Sequence, residues 1–298
     1  MMQNQNEYLL YLENVSKAYG PKMVLNDIDL AVTQREFCTV VGPSGCGKST
    51  LLRLILGQEQ VTGGRLLMKG QPIGLPGPDR GIVYQRYSLF PHLTILENIV
   101  LGKLLSQPLV KSLKGRKGHR DEALHYLESV QLADHAHKYP HQLSGGMQQR
   151  VAIAQALIMQ PHILMMDEPF GALDPGTREL MQMLILELWE THDMTIFFVT
   201  HDLEEAVFLG TRILVLSQFY IHELDRSPGT HKGARIVADY PLRRKTAHPT
   251  SVKATEAFGQ LIQKIRAEGF DPQYLQQARE FNLEHPDSFI TLADGGHP

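Results

Sequence analysis

Residues 42–50 read GPSGCGKST and directly follow the apolar run FCTVV at 37–41. Gly42 to Ser49 fits the pattern G-x-x-x-x-G-K-[ST], and STLLRLIL after it has the composition of a helix. Few short stretches constrain a fold as strongly. The pattern demands a strand, a tight loop and a helix in that order. Glycines let the backbone bend so that successive N–H groups point inward, where they cradle phosphate oxygens. The helix start that follows adds partial positive charge. In such a cradle Lys48 bridges the outer phosphates and the Ser49 hydroxyl ligates Mg²⁺. Pro43, Ser44, Gly45, Cys46, Gly47 and Thr50 complete the loop as candidate nucleotide-contact residues.

A phosphate cradle alone does not hydrolyse anything. Carboxylates are needed, and ILMMD at 163–167, followed at once by Glu168, supplies two. A buried parallel strand puts Asp167 at its C-terminal end, near the cradle, where it supports Mg²⁺ through water. Glu168, one residue on, is placed to polarise an attacking water.

The rest of the chain has the rhythm these motifs require. LLYLENV, FCTVV, RLLMKG, GIVY, ILMMD, TIFFV and RILVLS are strand-like, and several are followed by helix-like segments. That alternation predicts an α/β fold with a largely parallel sheet. From about Glu97 to Leu143 helices appear without a strand, which reads as a helical insertion. The basic stretch from Lys103 to Arg120 reads as a solvated loop. After Ser217 the pattern weakens. RIVADYPL is a candidate late strand, and LRRKTAHPT has the composition of a linker. Phe258, Leu261, Ile262 and Ile265 then fall at helical spacing, and Asp271-Pro272 is a suitable cap and first turn for a further helix.

HQLSGGMQQR, at 141–150, has the form of a second anion site. A serine and two glycines precede a helix, which is where free N–H groups collect. Taken alone, the same serine could simply cap its helix.

The 298 residues suffice for one large or two small domains, and the net charge of −3 disfavours nucleic acid as the main partner. The two cysteines, Cys38 and Cys46, lie in core and loop motifs and make no disulfide framework. Cys46 reads as a small residue that fits the loop; the sharper alternative is that the cradle's positive potential favours its thiolate and that alkylation blocks the site. MMQNQNEYLL lacks the features of a signal peptide, and no run approaches the ~20 apolar residues of a membrane span.

The complete set resembles the ATP-binding-cassette (ABC) ATPases. LSGGMQQR is similar to that family's signature loop, with Met147 where many members have glutamine. The resemblance covers roughly residues 7–240, in the family's motif order. It implies a P-loop NTPase fold of the ABC type, with a mostly parallel core sheet, an antiparallel β part and a helical subdomain at about 95–160. Residues 247–298 are left as a helical extension that could be regulatory, a dimer brace or packing against the core. By the same resemblance, Tyr19 in SKAYG stacks on adenine and Gln85 in GIVYQ, at the Q-loop, touches Mg²⁺. Asp174 in GALD belongs to the D-loop, and His201 in FFVTHD contacts the γ-phosphate. Catalysis is then assigned to Glu168 and His201, and metal binding to Ser49, Gln85 and Asp167. The family also explains the second loop. Two copies pack head to tail, and Ser144, Gly145 and Gly146 of one copy close over the ATP held by the other.

One cassette with no span implies an ATPase subunit, at the cytoplasmic face of the membrane, paired with a second ATPase subunit and with separate permease subunits. GPDRGIVYQRYSLFPHLTILENIVLG and DEPFGALDPGTRE most resemble importers of the nitrate/sulfonate/taurine type, which also use an extracytoplasmic solute-binding protein. The permease is expected to dock near Arg86, Tyr87, Phe90 and Pro91, unless Phe90 packs inside the helical subdomain. A soluble ABC ATPase of nucleic-acid or translation systems, and an exporter subunit, are the alternatives. The missing coiled-coil insertion and zinc cysteines disfavour the former.

Overall fold

The computed structural model describes residues 8–85, 88–105, 116–221, 233–242, 250–271 and 276–277. They form two units, one from residues 1–76 with 195–298, the other from Gly77–Met194.

The first unit contains an antiparallel sheet of β1 (Leu10–Tyr19), β2 (Lys22–Val32), β4 (Gly63–Met68) and β5 (Gln71–Pro72), in the order β2-β1-β4-β5. Its second layer is built on β3 (Phe37–Val41), which pairs in parallel with both β8 (Thr195–Val199) and β9 (Arg212–Ser217). β11 (Arg235–Pro241) closes the edge antiparallel to β9. FCTVV, TIFFV and RILVLS are buried along their whole length. That is why they are continuous apolar runs rather than alternating ones: parallel strands are covered on both faces. α1 (Lys48–Leu56) follows β3, and α6 (Leu203–Leu209) follows β8.

The late strand expected in RIVADYPL is β11. The helix expected around Phe258 is α7 (Glu256–Phe270), with Thr255 Oγ1 accepting from the Phe258 N–H at its start. Phe258, Leu261, Ile262 and Ile265 are all buried, each worth about 1.5–3 kcal/mol of transfer free energy. The helix packs on α6, β9 and β11. It approaches β9 so closely that a Cβ on Gly269 would stand 2.4 Å from Val215 Cγ1. The Lys253 ammonium lies 4.2 Å from the Phe208 ring centroid. Of the roles left open for the extension, packing against the core is what α7 performs. Asp271 closes that helix, and the first turn expected from Pro272 lies outside the described residues; β12 (Gln276–Gln277) pairs in parallel with β10 (Tyr220–Ile221).

A buried ion cluster ties this unit together. The Arg212 guanidinium donates to both carboxylate oxygens of Asp239 at 2.6–3.1 Å, to Glu36 Oε2 at 3.1 Å and to the Ala31 carbonyl at 2.6 Å. One side chain thus joins β9 and β11 to the end of β2. Burial opposes the guanidinium charge, but Asp239 and Glu36 together hold it well above the ordinary range. Removing one partner leaves the other buried and uncompensated. Arg212→Leu is therefore expected to cost about 3–5 kcal/mol, and the double variant Arg212→Leu/Asp239→Leu to recover most of that. Urea unfolding midpoints of the three proteins check it; equal losses in the single and double variants would show that the charge pair is not the cause.

The second unit holds the parallel pair β6 (Arg80–Tyr84) and β7 (Ile163–Asp167), in register from Arg80↔Ile163 to Tyr84↔Asp167. Its helices are α2 (Ile95–Leu105), α3 (Arg116–Ser129), α4 (Gly145–Leu157) and α5 (Pro175–His192). Thr94 and Glu97 form a reciprocal capping box at the start of α2. The solvated loop expected from Lys103 to Arg120 is helical at both ends, while residues 106–115 lie outside the described residues. Tertiary contacts override its charge pattern, since Lys103 Nζ donates to Glu122 Oε1 at 2.8 Å and to the Ile158 carbonyl at 3.2 Å.

Candidate functional site

In the first unit the chain leaves β3 at Val41 and turns through Gly42, Gly45 and Gly47, at φ 156°, 77° and 107°, before entering α1 at Lys48. A Cβ on Gly47 would stand 2.8 Å from Leu25 Cδ2 and 3.0 Å from Val24 Cγ1, so both conformation and space require glycine. No side chain caps α1, and its first turn carries no acid. A helix start with no side-chain cap and no acid suits an anion. Lys48 is only 7% exposed, and its ammonium donates to the carbonyls of Gly42 (2.7 Å) and Pro43 (3.0 Å). Ser44 and Gly45 are exposed, Pro43 and Ser49 half-buried, and Thr50 buried. This loop fits a nucleotide polyphosphate in backbone, helix dipole and charge.

The same unit carries His201. The parallel pairing of Val40 with Val199 sets the end of β8 beside the end of β3, and the Thr200 N–H donates to the Val40 carbonyl at 3.3 Å. His201 is exposed on a turn held at both sides. The Thr200 hydroxyl donates to Glu205 Oε2 at 2.6 Å, and Asp202 Oδ1 accepts from the N–H groups of Glu204 and Glu205. Sequence reasoning missed Thr200 and Glu205, although the acidic first turn of DLEEA was a signal for an anchored helix start. Tyr19 ends β1 with its ring 42% exposed. Its hydroxyl bonds to Glu59, and the Lys17 ammonium lies 4.9 Å from the ring centroid. Nothing local in the sequence pointed to Glu59.

In the second unit Asp167 ends β7 and is half-buried. Glu168 takes a left-handed backbone, φ 48°, uncommon for a glutamate and of the kind that collects at functional turns. Its carbonyl accepts from the Gly171 N–H at 3.2 Å. The Tyr84↔Asp167 register brings Gln85 to the same end, and a Cβ on Gly171 would meet Gln85 Nε2 at 3.2 Å. Gln85, Asp167 and Glu168 thus share one sheet end. Gln85 and Asp167 offer hard oxygen donors of the kind Mg²⁺ prefers.

The second loop is also in this unit. Ser144 is exposed and caps α4, its Oγ accepting from the Met147 N–H at 3.3 Å. The capping reading of this serine is therefore correct as local structure. It does not exclude the other reading, because a hydroxyl that accepts one bond still has a proton to donate. Gly146 packs against α5, where a Cβ would stand 2.5 Å from Thr177 Cγ2. Asp174 caps α5 and is exposed, and hydrogen bonds from the Thr177 side chain and backbone hold its carboxyl below the usual range. Of the expected docking residues, Phe90 is 42% exposed and Pro91 is exposed, so Phe90 is not enclosed in this chain; Arg86 and Tyr87 lie outside the described residues.

Cys46 takes the plainer of its two readings. It is 2% exposed, and burial pushes its thiol up, further than the nearby Lys48 charge pulls it down. The loop's positive potential was legible in the sequence, but the side chain turns inward, so the thiolate is disfavoured. Cys46 reads as a small residue that fits. Among the described residues no helix is long and apolar enough to cross a membrane.

Comparison with known proteins gives a consistent result. A family model described as ABC transporter matches residues 25–171. The chain is similar to the nitrate import ATP-binding protein NrtD of Synechococcus elongatus, 44% identical over 216 residues, covering 71% of this chain and 77% of the relative. It is equally similar to the bicarbonate transport ATP-binding protein CmpD of Synechocystis, 44% identical over 212 residues and 70% and 74% of the two chains. Among solved structures, a bacterial ABC transporter cassette solved as a dimer aligns with TM-score 0.59 at 36% identity, covering 69% of this chain and 93% of that one. The CbiO1 subunit of a Clostridium perfringens transporter complex aligns with TM-score 0.66 at 24% identity, over 87% and 95%.

Proposed function

Because this chain belongs to the ABC transporter family of ATP-binding proteins and is an ATPase, we propose that it powers import of a small solute through separate permease subunits. The observation that carries the reading is a pair of sites suited to an anion: the start of α1, which no side chain caps, in one unit and the exposed Ser144 loop in the other. A monomer has no need of both. Two copies packed head to tail use both on each ATP.

Residues 42–50 hold the phosphates, with Lys48 on the outer ones, and Tyr19 stacks on the base. Ser49, Gln85 and Asp167 are the residues that hold Mg²⁺, which when bound neutralises phosphate charge. Glu168 accepts the proton of the attacking water, and His201 donates to the γ-phosphate. Ser144, Gly145 and Gly146 of the second copy close on the same phosphate, with Asp174 beside them at the α5 cap. Closure needs the γ-phosphate, so ATP favours the dimer and ADP does not. The helices α2 to α4 make up the helical subdomain at about 95–160 within an ATPase domain of 7–240, and Phe90 and Pro91 meet the permease. The chain sits at the cytoplasmic membrane face through that permease, with an external binding protein delivering solute. Resemblance to nitrate and bicarbonate importers supports a solute of the nitrate/sulfonate/taurine/urea-like size.

Uptake of labelled nitrate, bicarbonate, sulfonate, taurine and urea by cells with and without this chain tests the proposal. Loss of one uptake, restored by the intact chain and not by Lys48→Ala, is the expected result. Unchanged uptake of all five, with the purified ATPase retained on DNA at moderate salt, favours the nucleic-acid reading.

A further inference from the structure

Asn98, on α2, is fully buried, and both ends of its side-chain amide are hydrogen-bonded. Oδ1 accepts from the Phe90 N–H at 2.7 Å. Nδ2 lies within donating distance of the carbonyls of Phe90 (3.1 Å), Leu93 (3.2 Å) and Thr94 (3.0 Å). A single side chain thus fixes the backbone of the turn that exposes Phe90 and Pro91. Four contacts to one short loop exceed what the α2 N-terminus needs, since Thr94 and Glu97 already cap it.

The same residue is tied to α4. Its backbone carbonyl accepts from Gln155 Nε2 at 3.1 Å. One turn further along α2, a Cβ on Gly102 would stand 3.1 Å from the Gln155 carbonyl oxygen and 3.7 Å from Ile158 Cγ2, so the two helices meet almost backbone to backbone. Lys103 Nζ then reaches the Ile158 carbonyl at the end of α4. Three successive contacts lock α2 to α4, and the first turn of α4 is the Ser144–Gly146 loop.

We propose that Asn98 is a positioning residue that makes the Phe90–Pro91 turn and the Ser144–Gly146 loop two ends of one rigid body. Movement of the signature loop on nucleotide then arrives, undamped, at the permease contact. Gln155 carries the link between the helices. Asn98 serves coupling, not hydrolysis, because it touches none of the groups assigned to phosphate or water. The inference rests on the reading that the Phe90 turn faces the permease.

The test uses the full transporter, this chain with its permease subunits in proteoliposomes, and two variants. Asn98→Leu removes all four contacts at similar volume. Gln155→Ala leaves the loop contacts intact and cuts the link to α4. The expected result is unstimulated ATPase within about 2-fold of wild type for the isolated subunit, in both kcat and KM, although the lost hydrogen bonds lower the thermal midpoint of Asn98→Leu by roughly a few degrees. Permease-stimulated ATPase and solute uptake are expected to fall about 10-fold or more in Asn98→Leu and several-fold in Gln155→Ala. A merely structural role would lower the basal rate of the folded protein along with the stimulated one. Full stimulation and uptake in folded Asn98→Leu overturn the proposal, as does a basal rate that falls in proportion to the stimulated one. Should Asn98→Leu not fold, Gln155→Ala decides alone by the same criteria. The underlying reading fails separately: wild-type ATPase unaffected by the permease, with no cross-link from Phe90→Cys to it, removes the docking surface itself, and with it this role for Asn98.

Discussion

Glu168→Gln is expected to lower ATP turnover by about 10²–10⁴-fold, the usual contribution of a general base, while leaving ATP bound. The substitution is nearly isosteric. The left-handed turn at φ 48° and the Gly171 N–H donated to its carbonyl both involve backbone, and neither depends on the carboxylate. What disappears is the proton acceptor. With hydrolysis blocked, γ-phosphate contacts from both copies persist, and the closed dimer accumulates. Mass measured with ATP–Mg²⁺ should therefore be twice that measured with ADP or without nucleotide. Normal turnover in the variant removes Glu168 from its assigned role. A monomer with ATP, both alone and alongside the permease, removes the trans role of Ser144–Gly146 instead. The two outcomes separate the base from the signature loop, which share no residue.

How far such roles could be seen in the sequence depended on whether the chemistry was local. The cradle was visible because glycine spacing and a following helix are properties of nine consecutive residues. α7 was visible for the same reason, through the spacing of Phe258, Leu261, Ile262 and Ile265. Strand β2 was missed because its pattern is interrupted. Asn26, Asp27 and Asp29 break the apolar run, Asp27 takes φ 55°, and the register against β1 shifts three times between Leu12 and Ala18. No period survives those irregularities, and the strand is specified by its partner. Cys46 carried two readings for a related reason. The charges that lower a thiol pKa are neighbours in sequence, whereas the burial that raises it comes from folding. The strained backbone of Glu168 and the polar contacts of the Asn98 amide likewise depend on partners that sequence spacing does not reveal.

The second large effect is expected at Gly42. A Cβ there would stand 2.0 Å from the Leu216 carbonyl oxygen and 3.0 Å from its carbon. Neither atom can yield cheaply. Leu216 lies in β9, paired with Ile236 on one side, while its neighbour Val215 pairs with Val41 on the other. Moving the carbonyl means opening the sheet at the point where the chain leaves β3, so the loop must move instead. Gly42→Ala is therefore expected to destabilise the fold by about 3 kcal/mol, the upper end of overpacking costs. It should also displace the N–H groups that meet phosphate, and a loss of about 2 kcal/mol of binding corresponds to a roughly 30-fold weaker Kd for ATP. Gly45 provides the control. It shares the positive φ, at 77°, but a Cβ there meets nothing within 4 Å. Gly45→Ala should cost only about 1–2 kcal/mol of left-handed strain. Urea midpoints and fluorescent-nucleotide titration of both variants measure the difference. If the two alanines behave alike, strain at positive φ governs the loop. If Gly42→Ala is much worse, the contact with β9 governs it, and the cradle is shaped by the sheet beneath it as much as by its own glycines.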